Sequence, residues 1–196
     1  RFGGNTADRY RERQLGFFEY YLRGVGDKPS DKVTAFSSGD NRWHVFDHWP
    51  PENISERSLY LESDGALSMT KPAVGKSVST YRSDPSTPVP HTHTIATSTG
   101  GGYMYEDQRF ASQRPDVLTF VTAPLDSAVT LAGPVVSQIW MSSTTTDADI
   151  VVKLIDVYPE EFAYPAELKP DKYPMGGYQQ LVRGDIMAAH FREGFD

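Results

Sequence analysis

The sequence predicts an all-β chain, a β-sandwich with the jelly-roll as its favoured arrangement, preceded by one helix. Three observations carry this. Short β-branched and aromatic runs recur along the 196 residues, and 14 prolines and 16 glycines fall largely between them. After the first two dozen residues, no stretch between those runs spaces its apolar residues as a helix would. The longest run, "DIVVKLIDVY", is apolar on both faces: Ile150, Val152 and Leu154 alternate with Val151, Ile155 and Val157. That pattern predicts a central strand covered on both sides.

The helix comes first. "NTADRYRERQLGFFEYYLRG" offers an N-cap at Asn5, Asp8 in the first turn and Gly24 at the end. Tyr10, Phe17, Phe18, Tyr21 and Leu22 fall at helical spacing and need a partner surface. Gly16 costs about 1 kcal/mol in such a helix, which predicts close packing there. A polar linker near 25–31 follows. Strands are then expected at "KVTAF", "NRWHVF", "RSLYLE", "ALSMT", "SVSTYR", "DVLTFVTAPL", "AVTLAGP", "VVSQIWMSST", "DIVVKLIDVY" and "YQQLVRGDIMAAHFRE". In the last of these, Leu181, Arg183, Asp185, Met187, Ala189 and Phe191 would share a face. Pro124 and Pro134 suit turns rather than strand centres.

Composition excludes several classes. There is no cysteine, so disulfides and thiolate metal sites are absent. The net charge of −7 provides no basic stripe for nucleic acid. No run approaches the roughly 20 apolar residues of a membrane span. A globule of this length is expected to bury roughly 70% of its unfolded surface.

No catalytic constellation emerges from the residues. The chain has no G-x-S-x-G elbow. His190 on an alternating strand reads as a satisfied or exposed histidine, and His44 and His48 as part of a turn beside Trp43 and Trp49. His91 and His93 would share a face in extended chain, but two imidazoles fall short of a zinc site. Asp147 and Asp149 lack the further ligands Ca²⁺ requires. The glycine-rich "STGGGYMYEDQR" lacks the Lys-Ser/Thr ending of a phosphate loop. No cofactor or metal is therefore expected. Lys153 and Asp156 lie on opposite faces of their strand, and each needs its own partner because an unpaired buried charge is costly. A structural role is expected for both.

Four ordered motifs carry a resemblance: "GDNRWHVFDHWPP", "DQRFASQRPDVLTFVTAPL", "LAGPVVSQIWMSSTTTDADIVVKLIDVYPE" and "GGYQQLVRGDIMAAHFRE". Together they resemble the CocE/NonD family of serine hydrolases, related to the X-prolyl dipeptidyl-peptidases, and most of all its branch of α-amino-acid ester hydrolases and glutaryl cephalosporin acylases. The resemblance implies that residues 1–26 end an α/β-hydrolase domain. Residues 27–196 would form a galactose-binding-like jelly-roll, cut short at its C-terminus. The family's Ser-His-Asp triad precedes the segment matched by Arg1, so no catalytic residue is expected in this chain.

The implied function is that of a non-catalytic portion of an ester- or amide-cleaving serine hydrolase, buttressing the catalytic domain and lining part of its acyl pocket. Tyr103, Met104 and Tyr105 are the candidate pocket-wall residues. Asp107, Gln108 and Arg109 would hold their loop, with Arg109 bridging carbonyls or a carboxylate. The implied partner is the hydrolase domain of the same polypeptide, with a homo-oligomer also open, and the implied location is periplasmic or secreted. The competing reading is an independent carbohydrate- or ligand-binding module, for which Trp43, Trp49 and Trp140 would form an exposed aromatic platform.

Overall fold

The N-terminal aromatic segment forms helix α1, Thr6–Phe18, continued by one wider π turn, Glu19–Arg23. The structure, a computed structural model, describes residues 6–30, 32–73, 78–95, 101–164, 170–191 and 193–194. The predicted N-cap Asn5 lies outside them. Gly24 ends the helix as expected: at φ 65° it donates its N–H to the Tyr20 carbonyl at 3.1 Å. No residue of α1 is buried. An added Cβ at Gly16 would meet nothing within 4 Å. The close packing expected at Gly16 is therefore not supplied by the described residues, and the aromatic flank of the helix stands in solvent.

The chain divides into two compact units, residues 1–57 with 125–134 and residues 58–124 with 135–196. In the first, β1 (Val33–Ser37) and β2 (Arg42–Phe46) form an antiparallel hairpin in which Phe36 faces Trp43. Asn41 takes the left-handed turn position at φ 57°, a conformation its short polar side chain tolerates. Edge-on contacts of Phe36 with Trp43 and of Phe46 with Trp49 make the small aromatic cluster of this unit. The Arg9 guanidinium lies 5.4 Å from the centre of the Trp43 ring.

In the second unit, β3 (Tyr60–Leu61) and β4 (Leu67–Ser68) make a short hairpin, to which Val121 adds a parallel bridge at Ala66. A four-residue helix, α2 (Arg109–Ser112), precedes the main ladder. That ladder pairs β5 (Asp149–Val157) with β6 (Gln179–Ala188), antiparallel from Asp149↔Ala188 to Val157↔Gln179. The register jumps between Leu154 and Ile155, leaving Val182 as the extra residue of a bulge. A bulge breaks strict alternation, so the face expected to run unbroken from Leu181 through Phe191 is interrupted there, and it stops at Ala188, where Ala189–Phe191 turn into a 3₁₀ helix.

The described structure is thus mostly β, with few helices and three two-stranded sheets. It has fewer paired strands than the sequence pattern suggests. "AVTLAGP" and "VVSQIWMSST" form no ladder, and Leu131, Val136, Ile139 and Trp140 lie exposed. β5 has one paired neighbour rather than two, and Val151 and Val157 are open on it. The reason is physical: alternation makes a segment competent for pairing, but only a neighbouring strand supplies the ladder. Among the described residues, Ala111 and Met175 are the buried apolar side chains. The accessible surface is 16370 Å², about half that of the unfolded chain.

Candidate functional site

Two of the adjacent glycines in "STGGGYMYEDQR" open a tight 3₁₀ turn, Gly101–Met104, closed by the Tyr105 N–H on the Gly102 carbonyl at 3.0 Å. Tyr103, Met104 and Tyr105 project from this turn into solvent. The polar residues behind them face inward. Asp107 forms a bridge with Gln180, and Gln108 N–H donates to Gln179 O at 3.0 Å, so the turn borders β6.

Asp107 is the pivot of one anchor. Its Oδ1 accepts the backbone N–H groups of Arg109 at 3.1 Å and Gln179 at 3.3 Å, while Oδ2 accepts the Arg109 guanidinium at 2.7 Å from Nε. Burial pushes the Asp107 carboxyl up, but Arg109 and the two backbone donors outweigh it and hold it below the usual carboxylate range. Arg109 therefore serves a carboxylate, as its place in the motif suggested.

Gln108 is the second anchor and is 2% exposed. Its amide Nε2 donates to the carbonyls of Tyr103 at 3.4 Å and Glu106 at 3.0 Å. Its Oε1 accepts from Lys153 Nζ at 2.7 Å. Lys153 also sits over the Phe110 ring, 5.5 Å from its centre. Burial draws the Lys153 amine below its ordinary value, and burial likewise pushes the Asp156 carboxyl up. The lysine in the apolar run thus has its own partner, and that partner is the loop.

The histidine pair comes to the same place. Glu106 Oε2 accepts the His93 backbone N–H at 3.0 Å and lies 3.1 Å from His93 Nδ1. Burial raises the Glu106 carboxyl, yet His93 draws it below the usual range. The His91 ring centre is 6.3 Å from that of Tyr103. Among the described residues no group of three His, Cys, Asp or Glu side chains is arranged to hold a metal ion.

An aromatic bank closes the other side. Tyr178 donates its hydroxyl to the Tyr105 carbonyl. Tyr158 stacks on Phe162 with centres 5.4 Å apart and an interplanar angle of 5°, and donates to Gln180 Oε1 at 2.6 Å. Gly176 and Gly177 let the chain pass against Glu160: a Cβ on Gly176 would stand 2.6 Å from the Glu160 carbonyl oxygen, and Gly177 has φ 60°.

Other sequence candidates lie elsewhere. His190 Nδ1 is 2.6 Å from Asp147 Oδ2, an exposed pair that ties the end of β6 to the approach of β5. His44 pairs with Asp40 and His48 with Glu52. Among the described residues no serine or threonine hydroxyl bonds to a histidine, the pairing an activated nucleophile needs. Trp140 is fully exposed, Trp49 half-exposed, and Trp43 packs on Phe36. Trp43 and Trp49 meet their phenylalanines edge-on, at 64° and 70°, so neither contact makes a flat platform. Sequence reasoning missed Glu106, Tyr178 and the Lys153–Gln108 contact. Only a charged residue inside an apolar strand hinted at the last.

The described residues thus form a β-rich structure with a polar, braced loop against its main ladder. The family described as the X-Pro dipeptidyl-peptidase C-terminal non-catalytic domain matches residues 23–193. The chain belongs to that family. It is similar to the cocaine esterase of Rhodococcus sp. (strain MB1 Bresler), 31% identical over 161 residues, covering 74% of this chain and 27% of the esterase. Among solved structures it is similar to an aminopeptidase from the marine sediment archaeon Thaumarchaeota archaeon, with TM-score 0.83 and 35% identity over 100% of this chain and 32% of that one. An α-amino acid ester hydrolase matches with TM-score 0.76 and 33% identity, over 99% of this chain and 32% of that one. These relatives agree with the family resemblance carried by the four motifs. The chain spans about a quarter to a third of their length.

Proposed function

We propose that this chain is the C-terminal jelly-roll portion of a serine acyl hydrolase that cleaves esters or amides, α-amino esters or acyl amides among them. In this reading residues 1–26 end an α/β-hydrolase domain of the same polypeptide, and residues 27–196 form a galactose-binding-like jelly-roll that buttresses it. The Tyr103–Met104–Tyr105 turn lines part of the acyl pocket. Serine would attack the acyl carbon in the hydrolase domain, with histidine as general base and an oxyanion hole for the tetrahedral intermediate.

The observation that carries the proposal is the match to an α-amino acid ester hydrolase over 99% of this chain but 32% of that enzyme. The bare flank of α1 supports it, since six large apolar side chains from Tyr10 to Leu22 stand exposed on a helix with no buried residue. The turn itself has the features of a wall: three apolar or aromatic side chains outward, fixed polar groups behind.

The test compares this chain with the longer polypeptide that carries it, using a chromogenic ester and a fluorophosphonate probe. The longer polypeptide should turn over the ester and take the label on one serine, while this chain alone does neither. Labelling of a serine within residues 1–196 would overturn the proposal. Replacing Tyr103, Met104 and Tyr105 with serine in the longer polypeptide should raise KM several-fold, with the fluorophosphonate still reacting.

A further inference from the structure

Lys153 is the one amine inside the apolar run of β5. Its Nζ reaches past its own strand to a side chain 45 positions away in sequence and donates to Gln108 Oε1 at 2.7 Å. Both amide hydrogens of Gln108 go to the turn, on Tyr103 O and Glu106 O, and its oxygen accepts from Lys153. No atom of this fully buried side chain is left to water. Lys153 thus supplies the donor that Gln108 Oε1 needs, and the Phe110 ring beside it stabilises the cation.

We propose that half-buried Lys153 and buried Gln108 form a strut that transmits the position of β5 to the Tyr103–Met104–Tyr105 turn, making Lys153 a positioning residue for that wall. The contacts favour a strut over a simple core contact for two reasons. First, Asp107 and Tyr178 tie the same turn to β6 and its approach, so the Lys153 link to β5 is a different anchor. With both in place, the turn is referenced to each strand of the main ladder. Second, the arrangement is asymmetric when broken. Removing Lys153 leaves a buried oxygen unsatisfied at the centre of the turn, and that penalty falls on the turn rather than on the β5–β6 ladder. The strut itself stands on the contacts; its link to substrate rests on the pocket-wall reading given above.

The test uses the full-length polypeptide that carries this chain and two variants acting at opposite ends of the strut. Lys153→Met keeps the stem over Phe110 and removes the donor. Gln108→Glu keeps an acceptor for Lys153 but turns a carboxylate oxygen toward the carbonyls of Tyr103 and Glu106. Hydrogen–deuterium exchange should rise about tenfold or more in peptides spanning 101–109 in both variants, with peptides of β5 and β6 unchanged. Unchanged exchange at 101–109 in both, or equal loosening of β5 and β6, overturns the strut. Kinetics on a chromogenic ester then separates the two readings: KM should rise with kcat nearly kept. Raised exchange at 101–109 with unaltered KM and kcat leaves the strut standing and overturns the pocket-wall reading.

Discussion

The bare flank of α1 allows a quantitative prediction. Phe17 is 48% exposed, Tyr21 53% and Leu22 76%, and Phe17 and Tyr21 already touch with ring centres 4.7 Å apart. Burying a whole side chain of this kind contributes about 1.5–3 kcal/mol. Scaled by the open fraction, a partner that covers the flank would gain about 1 kcal/mol each from Phe17 and Tyr21 and about 1.5–2 kcal/mol from Leu22. On the proposal that residues 1–26 end a hydrolase domain, the triple variant Phe17→Ser, Tyr21→Ser, Leu22→Ser should therefore weaken docking of that domain by about 3–4 kcal/mol, several hundredfold in Kd. In this chain by itself each exposed substitution should shift stability by about 0.5 kcal/mol or less. The assay is calorimetric titration of the separately produced N-terminal portion with wild-type and variant chain. The heat-capacity change should shrink along with the affinity, because less apolar surface is covered. A variant that docks within threefold of wild type would refute the assignment of α1 to that interface.

Further outcomes follow from the site. Gly176→Ala brings a Cβ to within 2.6 Å of the Glu160 carbonyl oxygen. It should destabilise the β5–β6 base by about 1–3 kcal/mol, visible as a lowered urea midpoint. Asp107 has its carboxyl held below the ordinary range when folded, so its pairing stabilises above the unfolded pKa of about 3.9 and is lost as pH falls through the lower folded value. Wild type should lose protection at residues 101–109 in that acid window, whereas Asp107→Asn should start from lower protection and change less. In single-tryptophan variants, acrylamide should quench Trp140 as it does free indole and Trp43 markedly less, since Trp140 is fully exposed and Trp43 packs on Phe36. Equal quenching of the two would contradict the described packing.

The sequence by itself determined the local events. The helix and its stop at Gly24, the hairpin at Val33–Phe46 and the two long strands were legible, because spacing, turn chemistry and alternation act over a few residues. The four motifs likewise led to the family. Tertiary structure alone decided pairing and the site. "AVTLAGP" and "VVSQIWMSST" each read as a strand, yet neither forms a ladder in the described structure, since pairing depends on a second segment. Lys153 announced that it needed a partner without saying which, and His93 gave no sign of Glu106. Those choices join residues 13 to 45 positions apart. Hydrogen bonds of that kind are set by where the backbone carries each group, which no local pattern encodes.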